Sequence, residues 1–330
     1  MHIKSSAPGK GKKQPMPPKK YFIILAIIAL ISSSCEPAKE PVVDKNNLRV
    51  IASIFPLYDF ARVIGGDKIS VSLLVPPGTD VHGYELNPEE IVRVAKADVF
   101  LFINFEMEHW AYKIIGAAAE KTNMLAVETG KGTFLLPLSA APSDSHKDAH
   151  EHASRFDPHI WLDFANAQKI VDNIADAFIN KDPANSDYYK NNARAYKLQL
   201  AALDKKYRKE LAGCKSNIIL HAGHRAFAYL AKRYNLQYKA AYSASAEAEP
   251  LPHNIFDLAE QIKRMNAPYI FHEGLIAPRL AQTIARETGA GLLKLNSGHN
   301  IGKDDIKKGA TFLSLMENNL DNLKKGLSCP

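Results

Sequence analysis

Between residues 48 and 325 the chain alternates short β-branched and aromatic runs with longer segments whose apolar positions recur every three or four residues. In the first half the short runs, expected as strands, cover 48–54, 69–76, 99–104 and 123–129. Residues 57–65 and 87–97 carry helical spacing between them. In the second of these Asn87 is placed to cap the helix, Pro88 takes its first position and Glu89 and Glu90 fill its first turn. The second half repeats the plan, with strands expected at 216–221, 236–242, 268–273 and 291–296 and helices at 225–235, 254–266, 278–288 and 303–325. Strands that alternate with helices make a parallel sheet covered on its faces. The pattern therefore predicts an α/β fold of two lobes, each with a mainly parallel four-stranded sheet flanked by helices. No residue-level repeat relates the two.

Between the halves, Tyr189, Ala193, Tyr196, Leu200, Leu203, Tyr207 and Leu211 recur at steps of four and three, one face of a helix that Gly213 is placed to end. Some 28 residues make a rod of roughly 40 Å. One long rigid helix is stiffer than a pair of crossing strands, so large hinge closure is disfavoured. The expected organisation is an N-terminal lobe over 48–182, a linking helix over 183–212 and a C-terminal lobe over 213–330.

Composition changes this picture at one end only. An apolar content of 46% and a charged content of 23% are those of a globular protein, and 330 residues suffice for two cores. The net charge of +7 suggests an acidic partner until it is located: residues 1–34 hold six lysines and no acid, leaving 7 − 6 = +1 for the rest. A nucleic-acid partner is thereby disfavoured. The same residues have the parts of a secretory signal, a lysine-rich start followed by an apolar run over 21–31 that is too short to span a bilayer. Ser32-Ser33-Ser34-Cys35 then resembles a bacterial lipobox, with serine at position 32 where leucine is usual. That resemblance implies lipidation at Cys35, a flexible tether over 35–47 and an exported protein anchored in the cell envelope. The other cysteines, Cys214 and Cys329, could pair in such a compartment, although spacing alone does not establish it.

Candidate chemistry lies in the histidines. His146, His150 and His152 sit in a polar loop over 139–156 with no apolar period, and Asp157-Pro158-His159 then leads into the apolar Ile160-Trp161-Leu162, with Asp163 placed to cap a helix. The stretch reads either as an auxiliary metal-collecting loop beside one rigid ligand, or as a solvated linker before a core histidine. Ligands in open α/β sheets bind beyond the carboxyl ends of the strands. His82 follows the second expected strand, His159 the fourth, His224 the fifth and His299 the eighth, so each lobe supplies two to a cleft between them. Three or four neutral imidazoles suit tetrahedral Zn(II), whereas carboxylates would favour Mn(II). Taken singly, each histidine is better read as a hydrogen-bonded structural residue; only their joint placement favours a ligand. His109-Trp110 reads as part of an amphipathic helix with Trp110 in the core, and His253 as a helix-start residue.

The segments GTDVHGYELNPEEI, DPHIWLD, HRAFAYLAKRYNL and EAEPLPHNIFDLAEQI, with DPANSDYYKNNARAY opening the long helix, resemble the substrate-binding lipoproteins of bacterial zinc and manganese ABC transporters, the ZnuA/TroA type. The likeness runs over about 48–327. It implies metal ligands at His82, His159 and His224, and makes His221 a strand-end residue and not a ligand. The fourth ligand, commonly a carboxylate in that family, falls near Asn296, where the match fails; His299 is the substitute, with Glu273, Asn296 or a water as alternatives. Val81 and Leu86 stand where the family often has prolines. A histidine-rich insertion at 146–152 implies zinc in preference to manganese, and Glu247 and Glu249 fall in a segment that shapes the cleft edge. The function implied is a monomeric binding protein, not an enzyme, that carries Zn(II) as its transported ligand to an ABC permease and its ATPase. The alternatives are a manganese or iron carrier of the same fold, a zinc-dependent hydrolase, and an adhesin for cell adhesion. Against the hydrolase, no His-Glu-x-x-His motif occurs.

Overall fold

The computed structural model describes residues 47–118, 122–138, 155–242, 252–274, 278–299 and 301–330. Cys35, the signal and nearly all of the tether, His146, His150 and His152 of the collecting loop, and Glu247 and Glu249 lie outside the described residues.

Within them, two four-stranded sheets form, each with every neighbouring pair parallel. The first contains β1 (Leu48–Ala52), β2 (Ile69–Leu73), β3 (Val99–Phe102) and β4 (Leu125–Glu128), in the order β2-β1-β3-β4. The second contains β5 (Ile218–His221), β6 (Gln237–Ala240), β7 (Tyr269–His272) and β8 (Gly291–Lys294), in the matching order β6-β5-β7-β8. Helices α1 (Phe55–Gly65), α2 (Pro88–Ala95), α3 (Ala111–Ala118) and α4 (Phe164–Lys181) accompany the first sheet in sequence. The linking helix α5 (Ser186–Glu210) has 25 residues, and α6 (Ala228–Arg233), α7 (Pro252–Arg264), α8 (Pro278–Thr288), α9 (Lys303–Lys307) and α10 (Phe312–Gly326) follow.

Local sequence explains where these elements begin and end. Asn87 accepts from the Glu90 backbone while the Glu90 side chain reaches back, a capping box that starts α2. Asp163 accepts from the Ala165 and Asn166 amides and starts α4. The strands are shorter than the expected runs, although backbone bonds such as Ser53 to Leu101 and Leu74 to Ala52 continue the pairing a residue or two past their ends. A single helix over 303–325 does not form. Gly309 has φ +74°, and Thr311 with Ser314 makes a second capping box, so the segment breaks into α9 and α10. His109 and Trp110 lie in the turn before α3 and not on a helix; Trp110 is buried and His109 exposed. The helix expected over 225–235 begins only at Ala228, since residues 223–227 form an irregular loop in which the Ala226 amide donates to the His224 carbonyl at 2.8 Å.

The lobes share one apolar core. It runs from Val50 in β1 through Phe100, Phe102, Tyr196, Leu200, Tyr207, Ile219 and Phe271 to Leu327, taking side chains from both sheets, α5 and α10. A smaller cluster that includes Leu220, Leu258, Ile270 and Ile284 fills the outer side of the second sheet. The tie is reinforced by polar contacts. Buried Asp59 of α1 accepts from the Phe312 amide of α10 at 2.8 Å, and the Phe60 and Phe312 rings meet edge to face at 5.0 Å. Arg233 of α6 pairs both oxygens of Asp204 on α5 at 2.7 Å and donates to Asp163, the cap of α4, at 2.8 Å. One guanidinium thus joins the linking helix to a helix of each lobe. Two-pronged geometry at a mostly buried site is the case in which an ion pair restrains position most.

Cys214, just past α5, is disulfide-bonded to Cys329 at the end of the chain, across 115 residues. Closing so long a loop removes much of the freedom of the unfolded chain. Replacing both cysteines with alanine should lower the unfolding free energy by about 2–4 kcal/mol, as read from urea denaturation of the oxidised protein and its double variant.

Candidate metal centre

The cleft between the sheets receives one loop from each of four strand ends, and every one ends in an imidazole. His82, His159, His224 and His299 lie with one ring nitrogen each, all within 4.8 Å of one another. Their six ring-to-ring separations span only 5.0 to 5.6 Å. Four points with six nearly equal separations are the corners of a tetrahedron. The His224 and His159 Nε2 atoms face each other at 3.1 Å, close to the roughly 3.3 Å edge of a tetrahedral site with nitrogen 2.0–2.1 Å from zinc.

Each ring is placed by its own neighbours. Asp157 accepts from the His159 backbone amide at 3.0 Å and pairs the ring Nδ1 at 2.8 Å, so Nε2 is the free edge turned to the cleft. Glu273, at the end of β7, pairs Nδ1 of His224 in the same way. The His224 loop is also held by Tyr238, whose hydroxyl donates to the His224 carbonyl at 3.2 Å. His299 follows Gly298, which has φ +86°, so a side chain there is strained. Asn296 accepts from the Gly298 amide at 2.8 Å, and its own backbone is held on both sides by the Asn319 side chain, each bond 2.8 Å. His82 differs. Its backbone amide donates to Asp80 at 3.1 Å, but its buried Nε2 has no hydrogen-bond partner.

Trp161 joins two of these loops across the cleft. Its indole nitrogen donates to the Ser297 carbonyl at 2.7 Å, and its ring lies edge-on to both His159 and His299. Tyr229 of α6 adds a second tie, donating to the Asp157 carbonyl at 3.0 Å and accepting from the Leu136 amide at 2.8 Å.

Burial sets the charge of the rings. It drives His82 and His299 well below the ordinary imidazole value, with the neighbouring histidines adding to the effect. Burial also lowers His159, although Asp157 opposes it. For His224 burial acts in the same direction, but Glu273 outweighs it and the value rises. Glu273 itself is held below the usual carboxylate range by His224 in spite of its burial. A ring kept neutral presents a lone pair, which is what a metal ion needs.

Other sequence-predicted residues fall elsewhere. Glu273 and Asn296, the alternative fourth ligands, each turn one side-chain oxygen elsewhere, to the His224 ring and to the Gly298 amide. His221 is buried at the end of β5, contacts the Tyr238 hydroxyl through Nδ1 at 3.1 Å and is pushed down to about 4 by burial. His253 is exposed in the first turn of α7. Sequence reasoning missed the roles of Asp157 and Glu273 as partners of ligand-type rings. Asp157 had a signal, since an acid two residues before a histidine can reach back to its amide. Glu273 had none, being 49 residues from His224.

Comparison with known proteins gives a consistent result. The family model described as zinc-uptake complex component A, periplasmic, matches residues 50–326. The zinc-binding lipoprotein AdcA of Streptococcus pneumoniae is 32% identical over 309 residues, which cover 93% of this chain and 61% of that protein, so the chain spans less than two thirds of its length. The high-affinity zinc uptake system protein ZnuA of Bacillus subtilis is 31% identical over 313 residues, covering 93% of this chain and 96% of that one. Among solved structures, the Zn(II)-bound ZnuA-like domain of Streptococcus pneumoniae AdcA superposes with a TM-score of 0.72 at 30% identity, over 85% of this chain and 99% of that domain. The laminin-binding protein Lmb of Streptococcus agalactiae, described as having adhesin and metal-transporting activity, superposes at 0.73 with 26% identity, over 85% and 99%.

The indole tie across the cleft can be tested. Trp161→Phe leaves the Ser297 carbonyl without its donor and removes part of a fully buried ring, so stability should fall by at least about 1–3 kcal/mol in thermal or urea unfolding.

Proposed function

This chain belongs to the family of the periplasmic A component of zinc-uptake complexes, and from that premise we propose that it captures Zn(II) outside the cytoplasm and delivers it to a membrane permease driven by an ATPase. His82, His159, His224 and His299 are the ligands in this reading, and Cys35 carries the lipid that holds the protein at the membrane. Zn(II) is cargo, and no bond is made or broken in it. The observation that carries the proposal is the near-regular tetrahedron of imidazoles with ligand atoms within 4.8 Å of one another.

The donor set argues against the rivals. Mn(II) and Fe(II) favour sites that include carboxylate oxygen, and the two nearest carboxylates are turned to ring nitrogens. A hydrolytic zinc site keeps one position for water, whereas four imidazoles fill all four. Because α5, the shared core and Arg233 tie the lobes, release comes from local movement of the loops that carry His82 or His224 and not from hinge opening. Imidazoles must be neutral to ligate, so protons compete with the ion and affinity falls in acid. The segment with His146, His150 and His152 gathers zinc near the cleft by raising its local concentration.

Titration of metal-free protein against a chelating indicator should give one tightly held Zn(II), with Mn(II) failing to displace it at roughly tenfold excess. Tight Mn(II) and weak Zn(II) binding would overturn the assignment. Replacing His299 with alanine should weaken Zn(II) about a hundredfold or more, a quarter share of the roughly 10–16 kcal/mol available to a four-ligand zinc site. Deleting residues 145–152 should slow zinc capture under limiting metal while leaving the equilibrium affinity of the cleft unchanged; an unchanged capture rate would dispose of the collecting role.

A further inference from the structure

Two buried carboxylates stand one ring away from the candidate centre, each held by a cleft histidine and neither by a basic side chain among the described residues. Asp157 is fully buried and Glu273 is 4% exposed. Each pairs one oxygen with the Nδ1 of a cleft histidine, Asp157 with His159 and Glu273 with His224. The second oxygen of each, Asp157 Oδ2 and Glu273 Oε1, is buried without a hydrogen-bond partner. Among the described residues, no lysine or arginine forms an ion pair with either. Asp204 shows the contrast, with both oxygens on Arg233 and the Tyr234 hydroxyl added. Leaving a buried charge half-satisfied is costly, and a fold keeps it where something else will balance the charge.

The geometry says what that is. In imidazole Nδ1 and Nε2 lie on opposite sides of the ring, and the Nε2 atoms of His159 and His224 face each other across the cleft at 3.1 Å. Each carboxylate therefore sits behind a ring whose front edge points at the centre. Four neutral imidazoles leave a divalent ion with its full charge, and the buried carboxylates directly behind two of those imidazoles number two. We propose that Asp157 and Glu273 are the positioning residues and the counter-charges of the captured ion, each fixing one ligating ring through Nδ1 and together offsetting the charge of a dication. This rests on the reading of the cleft as a carrier site for Zn(II), and it adds a basis for selection by ion charge. A monovalent soft ion of similar size, Cu(I), gains about half as much from the same two carboxylates.

The test uses the full chain and two d¹⁰ ions, Zn(II) and Cu(I), the second under anaerobic conditions, each measured by competition with a chelator. Glu273→Gln and Asp157→Asn remove charge while keeping shape. Each should weaken Zn(II) about 10–100-fold, and in the double variant the preference for Zn(II) over Cu(I) should shrink by at least about tenfold relative to the native chain. Glu273→Asp keeps the charge but shortens the reach, so it should weaken both ions by similar factors and leave the preference near native. Equal losses for the two ions in the charge-removing variants would overturn the counter-charge, and so would a Zn(II) affinity within about twofold of native. Should the native chain itself fail to bind Zn(II), the carrier reading falls on that measurement alone, before any variant is compared.

Discussion

Imidazoles carried by loops of two separate sheets can converge on one point only if the sheets keep a fixed separation. Everything else in this structure depends on that constraint. A tetrahedral metal site tolerates displacements of a few tenths of an ångström, whereas lobes joined by crossing strands move by far more than that. The chain meets the requirement by giving both lobes one core. Tyr196, Leu200 and Tyr207 of the linking helix pack into the same cluster as β1, β3, β5 and β7, and Phe312 at the start of α10 reaches back to Phe60 and Asp59 of the first lobe. Arg233 and the cross-cleft bonds of Trp161 and Tyr229 fix what apolar contact leaves free to slide.

The rings can then be held without being charged. Burying an imidazole costs least when it is neutral, so the same packing that places His82, His159 and His299 also lowers their hold on a proton. Stability and metal affinity usually compete at such sites, because a cluster of like-charged groups repels itself. Here burial removes the repulsion by removing the charge. His224 is the exception, and it is the ring with an acid behind it that outweighs its burial.

Much of this could be read from the sequence, and the parts that could not share a cause. Short β-branched and aromatic runs and helical spacing gave eight strands and the long helix because both patterns are local, and Asn87 and Asp163 announced their helices by capping chemistry that spans three residues. The four cleft histidines were found from their place after strands, since in a parallel sheet every carboxyl end faces the same side. The break at Gly309–Thr311 was legible in principle as a left-handed glycine followed by a Thr-x-x-Ser capping box, and it was lost because the apolar period continues across it. Glu273 and Asn319 were not legible. Their partners, His224 and Asn296, are 49 and 23 residues away, and only the completed topology brings them together.

The four cleft histidines are held unequally, and in the carrier reading the inequality bears on release. His159 has Asp157 on its ring and on its amide, His224 has Glu273 and Tyr238, and the His299 loop is braced by Asn296, Asn319 and Trp161. His82 has no hydrogen bond at its buried Nε2 and is the least buried of the four, on a stretch without regular structure between β2 and α2. A backbone bond from the Gly78 amide to the Ile301 carbonyl, 2.8 Å, links that stretch to the other lobe. That stretch is held through its backbone, by Gly78 and by the His82 amide on Asp80, whereas buried side chains also hold the other three, so the lowest barrier to movement lies at His82. Removing a single imidazole also changes a closed four-ligand shell into an open three-ligand one, to which an acceptor group can add before the rest are lost. In the carrier reading proposed above, rigidity between the lobes and movement of the His82 loop are complementary: a fixed frame would hold the other three donors in place while that loop shifts.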